Sequence, residues 1–415
     1  MNNQKQTLGI TSIVFRLAWL SGIGALIVAP KFSGAGLAVC LLIAIAQLLN
    51  NRSKLDAYDL KVVLMFLTYP LVCLLSMALH GSVSARSLDT LSRFILVVPI
   101  YLYWRQNPAS FKWFCMPAGL AALSLGAVSF YQYHVLHATR PDGGVNAITF
   151  AQLAMLLGGF AALMFSRPQL LSVWQKPHRV FTAMFAVVAT GAALLAAVLS
   201  GSRGPLIAAP FLLLVLLYAL PHARRAVFCF GLLTAVLLGC VFLFVEQDVL
   251  RIREALNDVV ALNQGKANTS LGVRTEVWQA AWTLFQQNPI FGVGHNAFVD
   301  VVRARQSELG VGDYALGMHA HNDYLHALAE KGVIGLSALL LLFVGASVLV
   351  WRHTSNHVAR AGVLIVTVCW LSFGLSQVQM AHQRIVLLEL LALAFFFAYA
   401  KNSAGLVEPL PNGKQ

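Results

Sequence analysis

Apolar runs near twenty residues long recur along the chain, separated by short polar segments. A run of that length spans the hydrocarbon core of a bilayer as a helix. The pattern predicts an all-α polytopic membrane protein with about twelve spans. They fall at 11–29, 33–50, 60–79, 90–104, 111–131, 145–166, 180–200, 204–220, 225–245, 333–351, 360–380 and 385–400. The fourth and the last are short, and no internal repeat is visible. One interval departs from the pattern. Residues 246–328 are polar and hold more than half of the acidic residues. A connection this long is expected to be structured and functional. Within it, 275–287 places Val277, Trp278, Ala281, Trp282 and Phe285 on one helical stripe, as in a segment lying at a membrane surface. Asn288-Pro289 ends that helix, Gly292 and Gly294 make a turn, 299–309 reads as a short helix, and the chain is helical again from Asn322. The expected organisation is spans one to nine over 1–245, a helical loop over 246–328, spans ten to twelve over 329–402, and a tail over 403–415.

Composition agrees with a membrane protein. Hydrophobic residues make up 58% of the 415 positions and charged residues 11%, against roughly 25% charged in soluble domains. The net charge is +13. Its basic residues are scattered between apolar runs, so they predict topology and not nucleic acid. With the N-terminus inside, the inner segments hold Arg52, Lys54, Lys61, Arg105, Lys112, Arg167, Lys176, Arg179, Arg224, Arg225, Arg352 and Arg360. The short outer loops hold Lys31, Arg86, Arg93, Arg140, Arg203 and Arg384. Both termini are therefore expected in the cytoplasm, with the 246–328 loop outside. The segment 1–8 is polar, and the run after it is long enough to remain as a first span and not a cleaved signal. Cys40, Cys73, Cys115, Cys229, Cys240 and Cys369 all lie in apolar runs without a CxxC pair, which reads as packing and not redox or metal chemistry.

Four constellations carry candidate chemistry. Ser200-Gly201-Ser202-Arg203-Gly204-Pro205 joins spans seven and eight. Ser202 as N-cap and Pro205 in the first turn would open a helix whose free N–H groups, with Arg203, suit a phosphate. A capped hairpin with a snorkelling arginine has the same sequence. Arg274, in Gly272-Val273-Arg274-Thr275-Glu276, is a second possible phosphate clamp or a solvated surface arginine. The third is His319-Ala320-His321-Asn322-Asp323-Tyr324-Leu325-His326. His-x-His in an extended segment could chelate a metal. No cysteine accompanies it, and no second His or acid stands four residues from His321, so a general base oriented by Asn322 or Asp323 is preferred. A helix-capping turn is the structural alternative. The fourth is Gln377, Gln379, His382, Gln383 and Arg384, with Glu389 inside the last span; polar groups at such depth often line a cavity. Walker A, GxSxG and HExxH patterns are absent, as is a DxD pair in the large loop.

Several of these pieces together resemble the O-antigen ligase family. Its C-terminal signature is His, then Asn, Ser or Gln, nine residues, Gly, two residues, and Gly, Thr or Tyr. Here it reads His321-Asn322, the nine residues 323–331, Gly332, Val333-Ile334 and Gly335. Ser202-Arg203-Gly204 resembles the family's arginine after the seventh span. Val273-Arg274, Trp278 and Asn288-Pro289-Ile290-Phe291-Gly292-Val293-Gly294 resemble its periplasmic arginine segment. The detailed similarity covers roughly residues 200–340; the N-terminal half matches only in hydropathy.

The resemblance implies a GT-C-like glycosyltransferase of the bacterial inner membrane with its site facing the periplasm. A glycan on undecaprenyl diphosphate would pass to a sugar hydroxyl of lipid A–core, with inversion and with no metal or cofactor. Arg203 and Arg274 would hold the diphosphate, and His321 would activate the acceptor. His319, Asn322, Asp323, Tyr324, Gln379 and Arg384 are the expected substrate contacts. The donor, the acceptor and membrane lipids are the expected partners, and nucleic acid is not one. A polymerase adding to a second lipid-linked glycan, or a protein O-oligosaccharyltransferase, fits the same family. A flippase fits less well, because the polar residues gather at one face and not along the spans.

Overall fold

The computed structural model describes residues 2–26, 30–51, 54–81, 83–165, 177–221, 257–261 and 269–403, and a few single positions between 221 and 269. The described residues are dominated by helices and contain no strand. In chain order these are α1 (Asn2–Gly24), α2 (Pro30–Asn50), α3 (Ala57–His80), α4 (Ala85–Gln106), α5 (Lys112–His134), α6 (Ala147–Ala162), α7 (Pro177–Leu199), α8 (Arg203–Leu206) and α9 (Ala208–Ala219). They continue as α10 (Ser270–Gln287), α11 (Phe298–Ala304), α12 (Gln306–Leu309), α13 (Asp323–His353), α14 (His357–Phe373) and α15 (Gln383–Ser403).

Every predicted span but one falls on these helices; the ninth, 225–245, lies almost wholly outside the described residues. Seven helices are long and apolar enough to cross a membrane by length and composition: α2, α3, α5, α6 with its following turn, α7, α13 and α15. Shorter apolar helices run over Gly9–Gly24, Arg203–Ala219 and His357–Phe373. Charge sets α4 apart, since it carries Arg86, Asp89, Arg93 and Arg105. The eleventh predicted span, 360–380, stops as a helix at Phe373. Its last residues form an irregular segment that carries Gln377 and Gln379.

Helix contacts follow residue size. A Cβ on Gly126 of α5 would lie 2.6 Å from the Ala192 Cβ of α7, and one on Gly158 of α6 would lie 2.8 Å from the Ala193 Cβ. Small residues thus let α5, α6 and α7 approach closely, the usual route to helix association in lipid. An aromatic cluster fills the space between α1, α4, α5 and α15. Phe15 stacks on Tyr103 at 3.6 Å, and Trp19 meets Trp104 edge-on at 5.4 Å. Ile13, Leu17, Leu42, Leu64, Leu71 and Val188 point outward, as lipid-facing positions would. The buried Asp59 is matched at one end of the bundle by Arg105 at 3.0 Å, Lys401 at 2.6 Å and the Tyr101 hydroxyl at 2.7 Å, which offsets the cost of burying its charge.

A second, smaller core sits over the other end. Val277, Ala281 and Leu284 of α10 pack with Phe298, Val302, Ala315, Ala320 and Ala329. The predicted aromatic stripe of this helix is therefore split: Val277 and Ala281 face the core, while Trp282 is 47% exposed. The helix also begins at Ser270, five residues before the expected start, because the Thr269 side chain accepts the Gly272 N–H as a cap.

Helix α13 is broken at Gly332, whose φ of 61° and ψ of −160° suit only glycine. A Cβ there would lie 2.2 Å from the Ile290 carbonyl oxygen. Pro289 O accepts the Val333 N–H at 2.9 Å, and Val293 and Gly294 N–H donate to Ala329 and Glu330 O at 2.9 Å. The segment 289–294 thus docks on backbone groups that the break frees. It joins the small core to the membrane-length part of α13.

Candidate active site

The site forms where α7, α8, α13 and α14 end or begin. Gly201, with φ of 64°, turns the chain from α7 into α8. Ser202 takes the N-cap position, but its hydroxyl makes no cap bond and accepts from Arg140 Nη2 at 3.3 Å. A Cβ on Gly204 would lie 2.2 Å from the Ser376 hydroxyl, so glycine lets α8 press against the 374–382 segment. His321 adopts φ of 47°, a rare conformation for a non-glycine residue. That turn sets Asn322 as N-cap of α13, where its side chain accepts from Tyr324 and Leu325 N–H at 3.0 Å. Trp278 Nε1 donates to Ala320 O at 2.7 Å. Arg274 lies one helical turn before Trp278 and on the same face. The indole hydrogen bond therefore ties the Arg274 helix to the His321 turn.

The result is a cavity of about 380 Å³ lined by Arg140, Ser202, Arg203, Arg274, His321 and Ser376, among others. Three guanidinium groups and, among the described residues, no carboxylate line it. Burial and the neighbouring Arg203 charge lower the Arg274 guanidinium from its usual value, yet an arginine remains cationic. The His321 imidazole is held below its ordinary value by burial and by Arg274, against the raising effect of its hydrogen bond to Gln377. Nδ1 lies 2.9 Å from Gln377 Oε1. With that oxygen accepting, Nδ1 carries the proton and Nε2 keeps a free lone pair. A neutral imidazole beside an anion-binding cavity can accept a proton while the cations hold a negative ligand.

The other predicted contacts take different places. His319 packs against His321 with ring centroids 4.9 Å apart. Burial and the nearby His321, His326 and His382 push its pKa down to about 4. Asp323 is buried, and its N–H donates to Gly374 O at 2.8 Å. The Tyr324 hydroxyl donates to Leu371 O at 2.6 Å, and Gln379 Nε2 donates to Trp370 O at 2.9 Å. Arg384, Gln379 and Tyr324 are not among the residues lining the cavity. Glu389 is buried in α15, also away from it. Among the described residues, no three His, Cys, Asp or Glu side chains converge as a metal site. One lining group, Arg140, stood outside the sequence-predicted set, and one supporting group, Gln377, stood in it without its role toward His321. Arg140 sits in the polar Arg140-Pro141-Asp142-Gly143 turn on the predicted outer face, and that topology was its only signal. Gln377 was one of the polar residues at the end of an apolar run expected to line a cavity, and nothing in the sequence paired it with His321.

Membrane-length helices, with an arginine-lined cavity and a neutral histidine at one end, define a multi-pass membrane protein equipped to hold an anion beside a base. Residues 185–340 match the model of the O-antigen ligase family. Over 150 residues the chain is 25% identical to an O-antigen ligase of Escherichia coli, a match covering 35% of each protein. It is also 25% identical over 314 residues to an uncharacterized protein of Haemophilus influenzae, covering 74% of this chain and 77% of that one. These likenesses support a ligase or polymerase role of glycosyltransferase type.

Proposed function

We propose that this protein is an inner-membrane glycosyltransferase that moves O-antigen polysaccharide from undecaprenyl diphosphate to a sugar hydroxyl of lipid A–core at the periplasmic face. The observation that carries this reading is the convergence of Arg203, Arg274 and His321 on one cavity, although they are far apart in the chain. A lipid diphosphate is already an activated leaving group. Cleavage of the sugar C1–O bond leaves its electron pair on a diphosphate oxygen, and the guanidinium groups of Arg203 and Arg274, joined by Arg140, stabilise that charge. The acceptor oxygen attacks C1 from the opposite side, which inverts the anomeric centre. His321 Nε2 takes the proton that the acceptor hydroxyl loses. Fixed guanidinium charges supply the anion stabilisation that a divalent cation gives elsewhere, so no metal has a step in this reading.

The test is the lipopolysaccharide of cells lacking the protein. The proposal predicts core without O-antigen and accumulation of lipid-linked polymer. Core bearing a single repeat unit would replace the ligase reading with the polymerase one, and unchanged lipopolysaccharide would overturn both.

A further inference from the structure

A second polar cavity, of about 310 Å³, shares no lining residue with the arginine-lined one. Volumes near this are typical of small-ligand clefts. Its walls come from α3, α4, the 289–297 turn, α13, the 374–382 segment and the start of α15, including Tyr69, Phe94, His295, His326 and Gln383. It differs from the first cavity in charge. Its only lining acid and lysine, Glu330 and Lys331, neutralise each other in a buried pair at 2.7 Å. His295 is 5% exposed and lines the cavity, and neither of its ring nitrogens has a hydrogen-bond partner. Burial, with the Lys331 charge, pushes its pKa down to about 4, so the ring is neutral and offers one donor and one acceptor. Leaving such a ring unpaired costs free energy that a bound hydroxyl would recover. Tyr69 and Phe94, with centroids 5.2 Å apart, add apolar ring surface.

We infer that this cavity is a subsite for a neutral sugar ring, in which His295 hydrogen-bonds ring hydroxyls, Gln383 closes the rim, and the buried Tyr69 and Phe94 back the apolar wall. Aromatic surface beside uncharged donors and acceptors is the chemistry a sugar presents in return. A diphosphate fits it poorly, since among the described residues its only lining cation, Lys331, is paired with Glu330. The inference rests on the transferase reading only for the source of the sugar: the acceptor glycan or the proximal sugars of the donor.

Saturation-transfer NMR on the full-length protein in nanodiscs, with millimolar glucose, galactose and N-acetylglucosamine, tests the subsite without any transfer reaction. Wild type should saturate at least one of these sugars, and His295→Leu and Gln383→Leu should each cut the effect at least fivefold. Gln383 is exposed at the cavity lip, so its replacement does not perturb the buried core. Binding of sugar-free undecaprenyl diphosphate should be unchanged in Gln383→Leu, which separates lost contact from lost fold. In steady-state transfer, about a tenfold rise in KM for the acceptor alone assigns the subsite to the acceptor, and the same rise for the donor alone assigns it to the donor. No saturation of any sugar by wild type, or equal saturation of wild type and both variants, overturns the subsite even if transfer is active. Saturation without transfer activity would leave the subsite standing and remove the transferase reading.

Discussion

Gln377 gives the sharpest test of how His321 is prepared for its role. Gln377 is 1% exposed, and its Oε1 accepts the His321 Nδ1–H at 2.9 Å. Gln377→Leu keeps the volume and removes the acceptor. His321 then has two options. It keeps the proton on Nδ1, unpaired, at a cost of roughly 1–3 kcal/mol, or it moves the proton to Nε2 and loses the base. At about 1.4 kcal/mol per tenfold, the first option lowers kcat roughly 5- to 150-fold, and the second lowers it further. KM for the donor should hold, because the arginines are untouched. Gln377→Glu makes the complementary change. Burial and Arg274 hold the His321 imidazole below its ordinary 6.5, so the wild-type acid limb lies below that value. Activity needs the neutral ring and is lost as pH falls through its pKa. A carboxylate at 377 favours the charged ring and raises that pKa, so the acid limb of kcat should move to higher pH. Both effects are read from transfer of labelled glycan between purified lipid-linked donor and acceptor over about two pH units to either side of the ordinary histidine value. Full activity of Gln377→Leu with an unmoved acid limb would refute the hydrogen bond's role.

Further expectations follow from the same geometry. Arg140→Ala should raise donor KM or lower kcat/KM about ten- to hundredfold, the worth of one charge-assisted hydrogen bond; unchanged donor kinetics would remove Arg140 from the site. Trp278→Phe deletes the 2.7 Å bond to Ala320 O, and should slow transfer several-fold, at a cost of about 1 kcal/mol, while thermal melting in detergent stays close to wild type. Gly332→Ala places a Cβ 2.2 Å from Ile290 O at positive φ, so about 1–3 kcal/mol of backbone strain, plus the clash, should lower the melting temperature clearly. An unshifted melt would contradict the docking of 289–294 on the helix break.

Much of this architecture was legible from hydropathy, because a span must be apolar over its whole length and so marks itself. Helix ends were less legible. The run 360–380 is continuous by composition, yet the regular helix stops at Phe373 and the segment after it places Gln377 beside His321. The start of α10 depends on a Thr269 cap that precedes the apolar stripe. Arg203, Arg274 and His321 stood out as charged or titratable residues in fixed motifs. Their convergence on one cavity comes from packing between distant segments, which no local pattern contains. Arg140, and the pairing of Gln377 with His321, were hidden for the same reason, since each matters through a partner far away in sequence. Conversely, Asp323, Tyr324 and Gln379 looked like substrate contacts because they are polar and close to His321. In the structure the Tyr324 hydroxyl and the Gln379 amide N–H donate to Leu371 and Trp370 carbonyls, and Asp323 bonds Gly374 through its main-chain N–H. The signature glycines also gain a physical meaning: Gly332 breaks α13, and Gly335 leaves room for the Lys331 side chain.

The most direct measurement is glycan transfer by the purified protein and its His321→Ala variant, with undecaprenyl diphosphate-linked donor and lipid A–core supplied in vitro. The predicted result is transfer by the wild type and none by the variant, while the variant still binds undecaprenyl diphosphate through its arginines. Transfer by His321→Ala at the wild-type rate would contradict the assignment of His321 as the base.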